Sequence, residues 1–186
     1  MVAPFLKAFP DVDVDVRRAF SFGGLQALHG YDIDILLTPD PLSLDTIAYT
    51  PVFEYEQVLV MDKHHPLADK PFIKPQDLSN ETLITYPVEL SRLDIFTHFL
   101  TPANCTVRQH KTIETTEIIL QMVAAGRGVT ALPKWLIDES KERDLLTYRS
   151  LGEVGVSKTL YLGHRKAQDV LGFVDDFIAL SQAHKP

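Results

Sequence analysis

Hydroxyl, carboxylate and guanidinium side chains stand just ahead of apolar helical runs at several points in this 186-residue sequence. Glu114-Thr115-Thr116 precedes a run in which Ile118, Ile119, Met122 and Val123 recur at helical spacing. Pro87 to Arg92, with Glu89 and Ser91, precedes a second, and Ser21-Phe22-Gly23 precedes a short stretch holding Leu25 and Leu28. A helix N-terminus carries free N–H groups and the positive end of the helix dipole, so such positions suit a carboxylate. The same residues have a plainer use. Thr115, Thr116 or Ser91 can cap its own helix through the hydroxyl, worth about 1 kcal/mol, and Arg92 can bridge Glu89 or Asp94 on the surface. Both readings stand at this level.

Other chemistry finds little support. His64-His65 is the one adjacent pair among seven histidines, and no H-x-x-x-H or C-x-x-C spacing accompanies it, so no metal site is expected. Gly126-Arg127-Gly128 lacks the Lys-Ser/Thr ending of a phosphate loop and reads as a helix stop followed by a close-packed crossing to the next strand. There is no G-x-S-x-G elbow, and Cys105 has no neighbouring histidine in sequence. No catalytic residue and no cofactor are expected.

Composition narrows the class further. Eighteen basic against 25 acidic side chains leave a formal charge of -7, and the densest basic stretch, Lys134 to Arg143, alternates with Asp and Glu, so this segment should repel a polyanion rather than bind one. No apolar run approaches the roughly 18 residues of a membrane span. The single cysteine excludes an internal disulfide, and no export signal is visible, which points to a cytoplasmic location.

The elements that must position these residues follow from periodicity. Val2, Phe5, Leu6 and Phe9 share a helical face ended by Pro10, and Val12, Val14 and Val16 alternate with aspartates as in a half-buried strand. Ile33–Leu37 is an apolar run halted by prolines, Ile47–Met61 reads as one or two strands, and His64–Asp77, with three prolines, reads as loop. Beyond it come strand Thr82–Tyr86, helix Ser91–Leu100, an ill-defined strand Cys105–Ile113 and helix Thr115–Ala125. Strand Val129–Leu132, helix Lys134–Lys141, strands Leu145–Leu151 and Thr159–Gly163, and helix Gln168–Ala183 complete the chain. The alternation predicts an α/β protein with mainly parallel pairing.

Four segments, in order, resemble the effector-binding domain of LysR-type transcription regulators. They are His65-Pro66-Leu67-Ala68 with Lys74 to Leu78; Glu81-Thr82-Leu83-Ile84; Val123-Ala124-Ala125-Gly126-Arg127-Gly128-Val129 leading to Ala131-Leu132-Pro133; and Tyr161 to Arg165 ahead of a helix holding Phe173 to Leu180. Tyr86-Pro87-Val88, Ser91-Arg92-Leu93-Asp94, His98-Phe99-Leu100, Pro102-Ala103 and Trp135 resemble the branch of that family that governs methionine biosynthesis.

The resemblance implies a two-lobed type II periplasmic-binding-protein-like fold, with residues 1–63 and 157–186 in the first lobe and 64–156 in the second. It places a winged helix-turn-helix and a first β-strand ahead of the helix that here starts at Met1, so the first lobe is expected to lack a strand. It implies that the domain senses a metabolite without transforming it, that DNA is contacted only through the N-terminal domain outside this sequence, and that the chain pairs as a homodimer or higher oligomer. A periplasmic-type solute binder of the same fold is the alternative. The effector-binding residues it implies are Ser21, Phe22, Thr38, Pro87, Glu89, Ser91, Arg92, Glu114, Thr115 and Thr116, in a cleft between the lobes. The implied effector is a small sulfur-bearing amino acid, homocysteine first. Its carboxylate would lie near Ser91 and Thr115, its ammonium near Glu89 or Glu114, and its thiol arm under Phe22 and Pro87.

Overall fold

A computed structural model describes residues 1–17, 23–42, 44–166 and 172–183. The chain divides into two compact units, Met1–Glu54 with Thr159–Pro186, and Tyr55–Lys158. It passes from one to the other inside two long strands, β2 (Ile47–Asp62) and β7 (Val156–Arg165). Among the described residues no helix is long and apolar enough to cross a membrane.

In the first unit, α1 (Val2–Ala8) buries Phe5, whose ring meets Phe177 of α5 (Gly172–Ala183) edge-on with centroids 5.1 Å apart. Val174, Ile178 and Ser181 form the buried stripe of α5 at helical spacing. β1 (Leu36–Thr38) pairs antiparallel with β7, which runs between β1 and β2. α2 (Gly24–His29) joins this sheet through a turn held by Arg165. The guanidinium donates to the carbonyls of Leu28 and Ile33 at 2.7 and 2.6 Å and to the Asp34 carboxylate at 2.8 Å, and it stacks over the Tyr31 ring. Those carbonyls would otherwise lack partners in an irregular segment.

The strand expected over Val12–Val16 is not a strand. Val12 and Val14 are half-buried and the aspartates exposed, as alternation demands, but the segment has no regular secondary structure. A strand exists only with a hydrogen-bonded neighbour, which periodicity cannot supply.

The second unit is built on the far half of β2. Val58, Leu59, Val60 and Met61 are wholly removed from solvent. Leu59 and Met61 enter a cluster with Ile73, Leu78, Leu83, Phe99, Leu100 and Leu151, whereas Val58 and Val60 enter one with Ile84, Ile119, Val123, Leu132 and Ile137. Successive side chains of a strand point to opposite faces, so one apolar run serves two cores.

β5 (Thr130–Pro133) and β6 (Leu146–Ser150) both pair antiparallel with β2, over Gln57–Val60 and Val58–Asp62. This corrects the expectation of mainly parallel pairing. β5 and β6 do run the same way, joined by α4 (Lys134–Asp138), but β2 lies between them and makes both of their ladders antiparallel. The parallel ladder in this unit is β3 (Thr82–Thr85) with β4 (Gln109–Thr112).

Two further stretches depart from expectation. His64–Asp77 is not plain loop, since 3₁₀ turns occupy Pro66–Asp69 and Pro75–Asn80. His65 caps the first by accepting from the Leu67 amide at 3.2 Å, which leaves its Nε2 to face Glu81 at 3.3 Å. Arg149 donates to the carbonyls of Ala68 and Lys70 and so fixes this stretch against β6. The helix expected over Ser91–Leu100 is broken into a 3₁₀ turn at Leu90–Arg92 and a π-helical turn at Ile95–Leu100. Leu93, in extended conformation, separates them.

α3 (Thr116–Ala124) ends as the glycines suggested. Gly126, at φ 66°, gives its N–H to Val123 O at 2.9 Å, and Arg127 gives its own to Met122 O at 2.9 Å, the paired bonds of a Schellman stop. Gly128 has another reason. A Cβ there would lie 2.4 Å from the Thr82 carbonyl oxygen, because Val129 passes against β3 and exchanges bonds with Thr82 and Ile84 at 2.9 and 2.8 Å. The two glycines are therefore expected to respond unequally. Gly126→Ala, with open space around it, should cost about 1–2 kcal/mol of left-handed strain, whereas Gly128→Ala must displace backbone and should cost about 3 kcal/mol or more. Urea unfolding of the two variants side by side checks the order.

Candidate functional site

Parallel β3 and β4 end side by side, Thr85 opposite Thr112, and the Ile113 amide donates to Thr85 O at 2.9 Å. The segments that follow, 86–92 and 113–116, therefore leave the sheet at the same edge. The carboxyl ends of parallel strands are where α/β sheets place ligands. A direct bond joins the two segments there, Tyr86 Oη to Thr116 Oγ1 at 2.7 Å.

Thr115 is the N-cap of α3 in extended conformation, but no side chain caps the helix. The capping role open to Thr115 or Thr116 is thus not the one adopted. Thr116's hydroxyl is turned to Tyr86, and the first intrahelical bond runs from Ile119 N to Thr115 O at 3.1 Å. The N–H groups of Thr116, Glu117 and Ile118 precede it, as helix geometry requires. Glu114 and Thr115 are exposed.

On the other segment Pro87, Glu89, Ser91 and Arg92 are all exposed. Ser91 does not cap a helix either. It sits within the 3₁₀ turn whose N-cap is Glu89, and its hydroxyl lies at the outer limit of bonding, 3.5 Å from Glu89 Oε2. The Asp94 carboxylate is largely buried and meets Lys158 at 2.9 Å and His98 at 3.3 Å.

Thr38 ends β1 in the first unit, half-buried and opposite Tyr161, and its hydroxyl accepts from the Asp40 amide at 3.1 Å. Ser21 and Phe22 lie outside the described residues. Among the described residues no group of three or more His, Cys, Asp or Glu could hold a metal.

Sequence reasoning missed Tyr86 and the pair beneath it, Thr85 and His110. The buried Thr85 hydroxyl donates to Tyr86 O at 3.0 Å and meets His110 Nε2 at 2.7 Å. Because its one proton is spent on the carbonyl, the ring Nε2 must be the donor in that contact. Phe96 lies edge-on to the imidazole at 5.2 Å. Neither strand carried a signal, since β3 is buried at every position and β4 lacks a clear period, and the two partners lie 25 residues apart.

Burial holds the His110 pKa below its ordinary value of 6.5. The fold thus favours the neutral ring, and the unfolded chain binds more protons near pH 6. This contribution is complete above the ordinary histidine value and is lost as pH falls below it toward the folded value. His110→Gln keeps an N–H donor for Thr85 and should shrink the stability loss between pH 7.5 and 5.5. Denaturant unfolding at the two pH values measures this, and an unchanged loss would count against it.

Comparison with known proteins bears on what this architecture serves. Residues 1–186 match the family model of the LysR substrate binding domain. The chain is 37% identical over 180 residues to the HTH-type transcriptional regulator MetR of Escherichia coli (strain K12), covering 97% of this chain and 56% of that protein, so it spans about half the length of that relative. The regulatory domain of MetR, a LysR family regulator from N. meningitidis, superposes with a TM-score of 0.82 at 28% identity, over 97% of this chain and 83% of that one. The CcmR regulatory domain of Synechocystis PCC6803, in complex with 2-PG, superposes with a TM-score of 0.85 at 19% identity over 98% and 88% of the two chains, a likeness of fold. These relatives are regulators rather than enzymes, and the fold is the periplasmic-binding-protein-like fold of their regulatory domains. With a family model matched end to end, the chain belongs to the LysR family of transcription regulators, as its substrate-binding domain.

Proposed function

We propose that this chain is the effector-sensing part of a cytoplasmic transcription regulator, and that the edge formed by residues 86–92 and 114–116 holds a small amino acid. The observation that carries this reading is the Tyr86–Thr116 bond, which sets an uncapped helix N-terminus beside a turn bearing Glu89, Ser91 and Arg92. Free N–H groups and the dipole of α3 favour a carboxylate, and hydrogen bonds to a charged group contribute about 1.5–3 kcal/mol each. Glu89 or Glu114 suits the ammonium, and Pro87 offers an apolar surface to the side chain. Homocysteine is the leading effector, on the likeness to MetR. The two lobes of the sensor are proposed at 1–63 with 157–186 and at 64–156, and Ser21, Phe22 and Thr38 are proposed as effector-binding residues of the first. DNA is engaged through a domain outside this sequence, and the regulator works as a homodimer or higher oligomer.

Calorimetry and thermal unfolding of the full-length protein test the effector. L-homocysteine at 100 times its dissociation constant should add about 2.7 kcal/mol of stability, a rise of roughly 5–10 °C for a domain of this size. Thr116→Val and Tyr86→Phe should each weaken binding several-fold, in line with about 0.5–1.5 kcal/mol per neutral hydrogen bond. Methionine and cysteine should cross-bind, since one methylene discriminates by only about 1–3 kcal/mol. Binding of unrelated dicarboxylates or aromatic acids, with none of sulfur amino acids, would overturn the choice of effector. Sedimentation of the same protein should show a dimer at micromolar concentration, and a monomer would count against the assembly.

A further inference from the structure

Lys158 and Asp94 form an ion pair at 2.9 Å in which the side chains are only 15% and 9% exposed. The partners are 64 residues apart, and their positions give the pair its interest. Lys158 is the last residue of the second unit, where β7 carries the chain onward. Asp94 follows the 3₁₀ turn at Leu90–Arg92 and is the N-cap of the π-helical turn after it. Gln57, three residues into the same unit on β2, sends its amide N–H to the other oxygen of Asp94 at 3.5 Å. With its amide turned this way, Gln57 leaves its own Oε1 buried and without a partner among the described residues. One carboxylate thus takes donors from both strands along which the chain enters and leaves the unit.

We propose that Asp94 is the positioning residue of the effector segment: through Lys158 and Gln57 it fixes residues 89–93 against β2 and β7, so that effector contact with that segment is felt at both strands. The inference rests on the reading of residues 86–92 as part of the effector site. Its physical basis is independent of that reading. Leu93 is extended and interrupts the helical bonding between the two short turns, so local hydrogen bonds alone do not set the direction of 89–93, and a buried charge cannot leave its partner without being stranded. His98, largely exposed, stands at 3.3 Å from the Asp94 oxygen that Lys158 meets, and it lies on the turn that follows the positioned segment rather than on either strand.

Hydrogen exchange of the full-length protein decides the matter, comparing the parent with Asp94→Asn, Lys158→Met, Lys158→Arg and the double variant Asp94→Asn/Lys158→Met. The amides of Arg92, Leu93 and Phe96, each bonded within the segment, should exchange at least about tenfold faster in Asp94→Asn and Lys158→Met. The double variant should add nothing further, as expected of partners in one interaction. Lys158→Arg should restore protection, and the Ile84 amide on β3 should not change in any of them. Uniform acceleration across the unit, additive effects, or failure of arginine to rescue would overturn the proposal. Should Asp94→Asn fail to fold, the contrast between Lys158→Met and Lys158→Arg carries the same decision. In a parallel calorimetric arm, L-homocysteine should bind roughly tenfold more weakly to Lys158→Met than to Lys158→Arg. If the parent takes up no homocysteine, the choice of effector falls, while the exchange pattern still judges the positioning role.

Discussion

Everything in the second unit depends on four consecutive side chains, Val58 to Met61, having nowhere to go but inward. Each contributes about 1.5–3 kcal/mol by leaving water, and the pleat of β2 sends alternate members to opposite faces. One face collects the 3₁₀ turns at Pro66–Asp69 and Pro75–Asn80 and the π-helical turn, the other collects α3 and α4. β5 and β6 then satisfy both edges of the strand. A register slip of one residue would exchange the two sets and leave neither core filled, which pins the pairing strongly.

That pinned strand positions the candidate site at second hand. β3 packs into both cores through Leu83 and Ile84, and its carbonyl at Thr82 receives the Val129 amide because residue 128 has no side chain to stand in the way. The close approach brings the end of α3 to β3, and the parallel β3–β4 ladder brings its beginning there as well, where Tyr86 meets Thr116. Behind the edge, Thr85 holds the Tyr86 carbonyl, and His110 holds Thr85. Such a chain of bonds fixes the orientation of the Tyr86–Thr116 pair more than it stabilises the unit, since neutral bonds contribute only about 0.5–1.5 kcal/mol each.

Two arginines do for irregular segments what ladders do for strands. Arg165 collects the carbonyls of Leu28 and Ile33 in the first unit, and Arg149 those of Ala68 and Lys70 in the second. A guanidinium presents several donors in a fixed plane, so it can bind two carbonyls where a lysine would bind as a point charge. Arg165 is the last residue of β7, and Arg149 lies one residue before the end of β6.

The sequence by itself determined the order and type of most elements, because apolar spacing reports which face of a segment is buried. Phe5 and the strand over Ile47–Met61 were legible in this way, as was the stop at Gly126, where left-handed backbone leaves glycine as the residue of choice. The expected inward face of α3 held only in part, since Ile119 and Val123 are buried, Leu120 joins them, and Ile118 is exposed. The family was legible too, in segments spread along the chain. Periodicity does not say which element a face meets. It therefore predicted mainly parallel pairing and missed β2 between β5 and β6, and it read Val12–Val16 as a strand although that segment has no regular secondary structure. The candidate site divides the same way. Glu114–Thr116 and Pro87–Arg92 could be marked as segments ahead of helices, but the use of Thr116 was decided by Tyr86, 30 residues away, and that of Asp94 by Lys158, 64 residues away. Such contacts are fixed by packing across the unit, and no local pattern of residues encodes them.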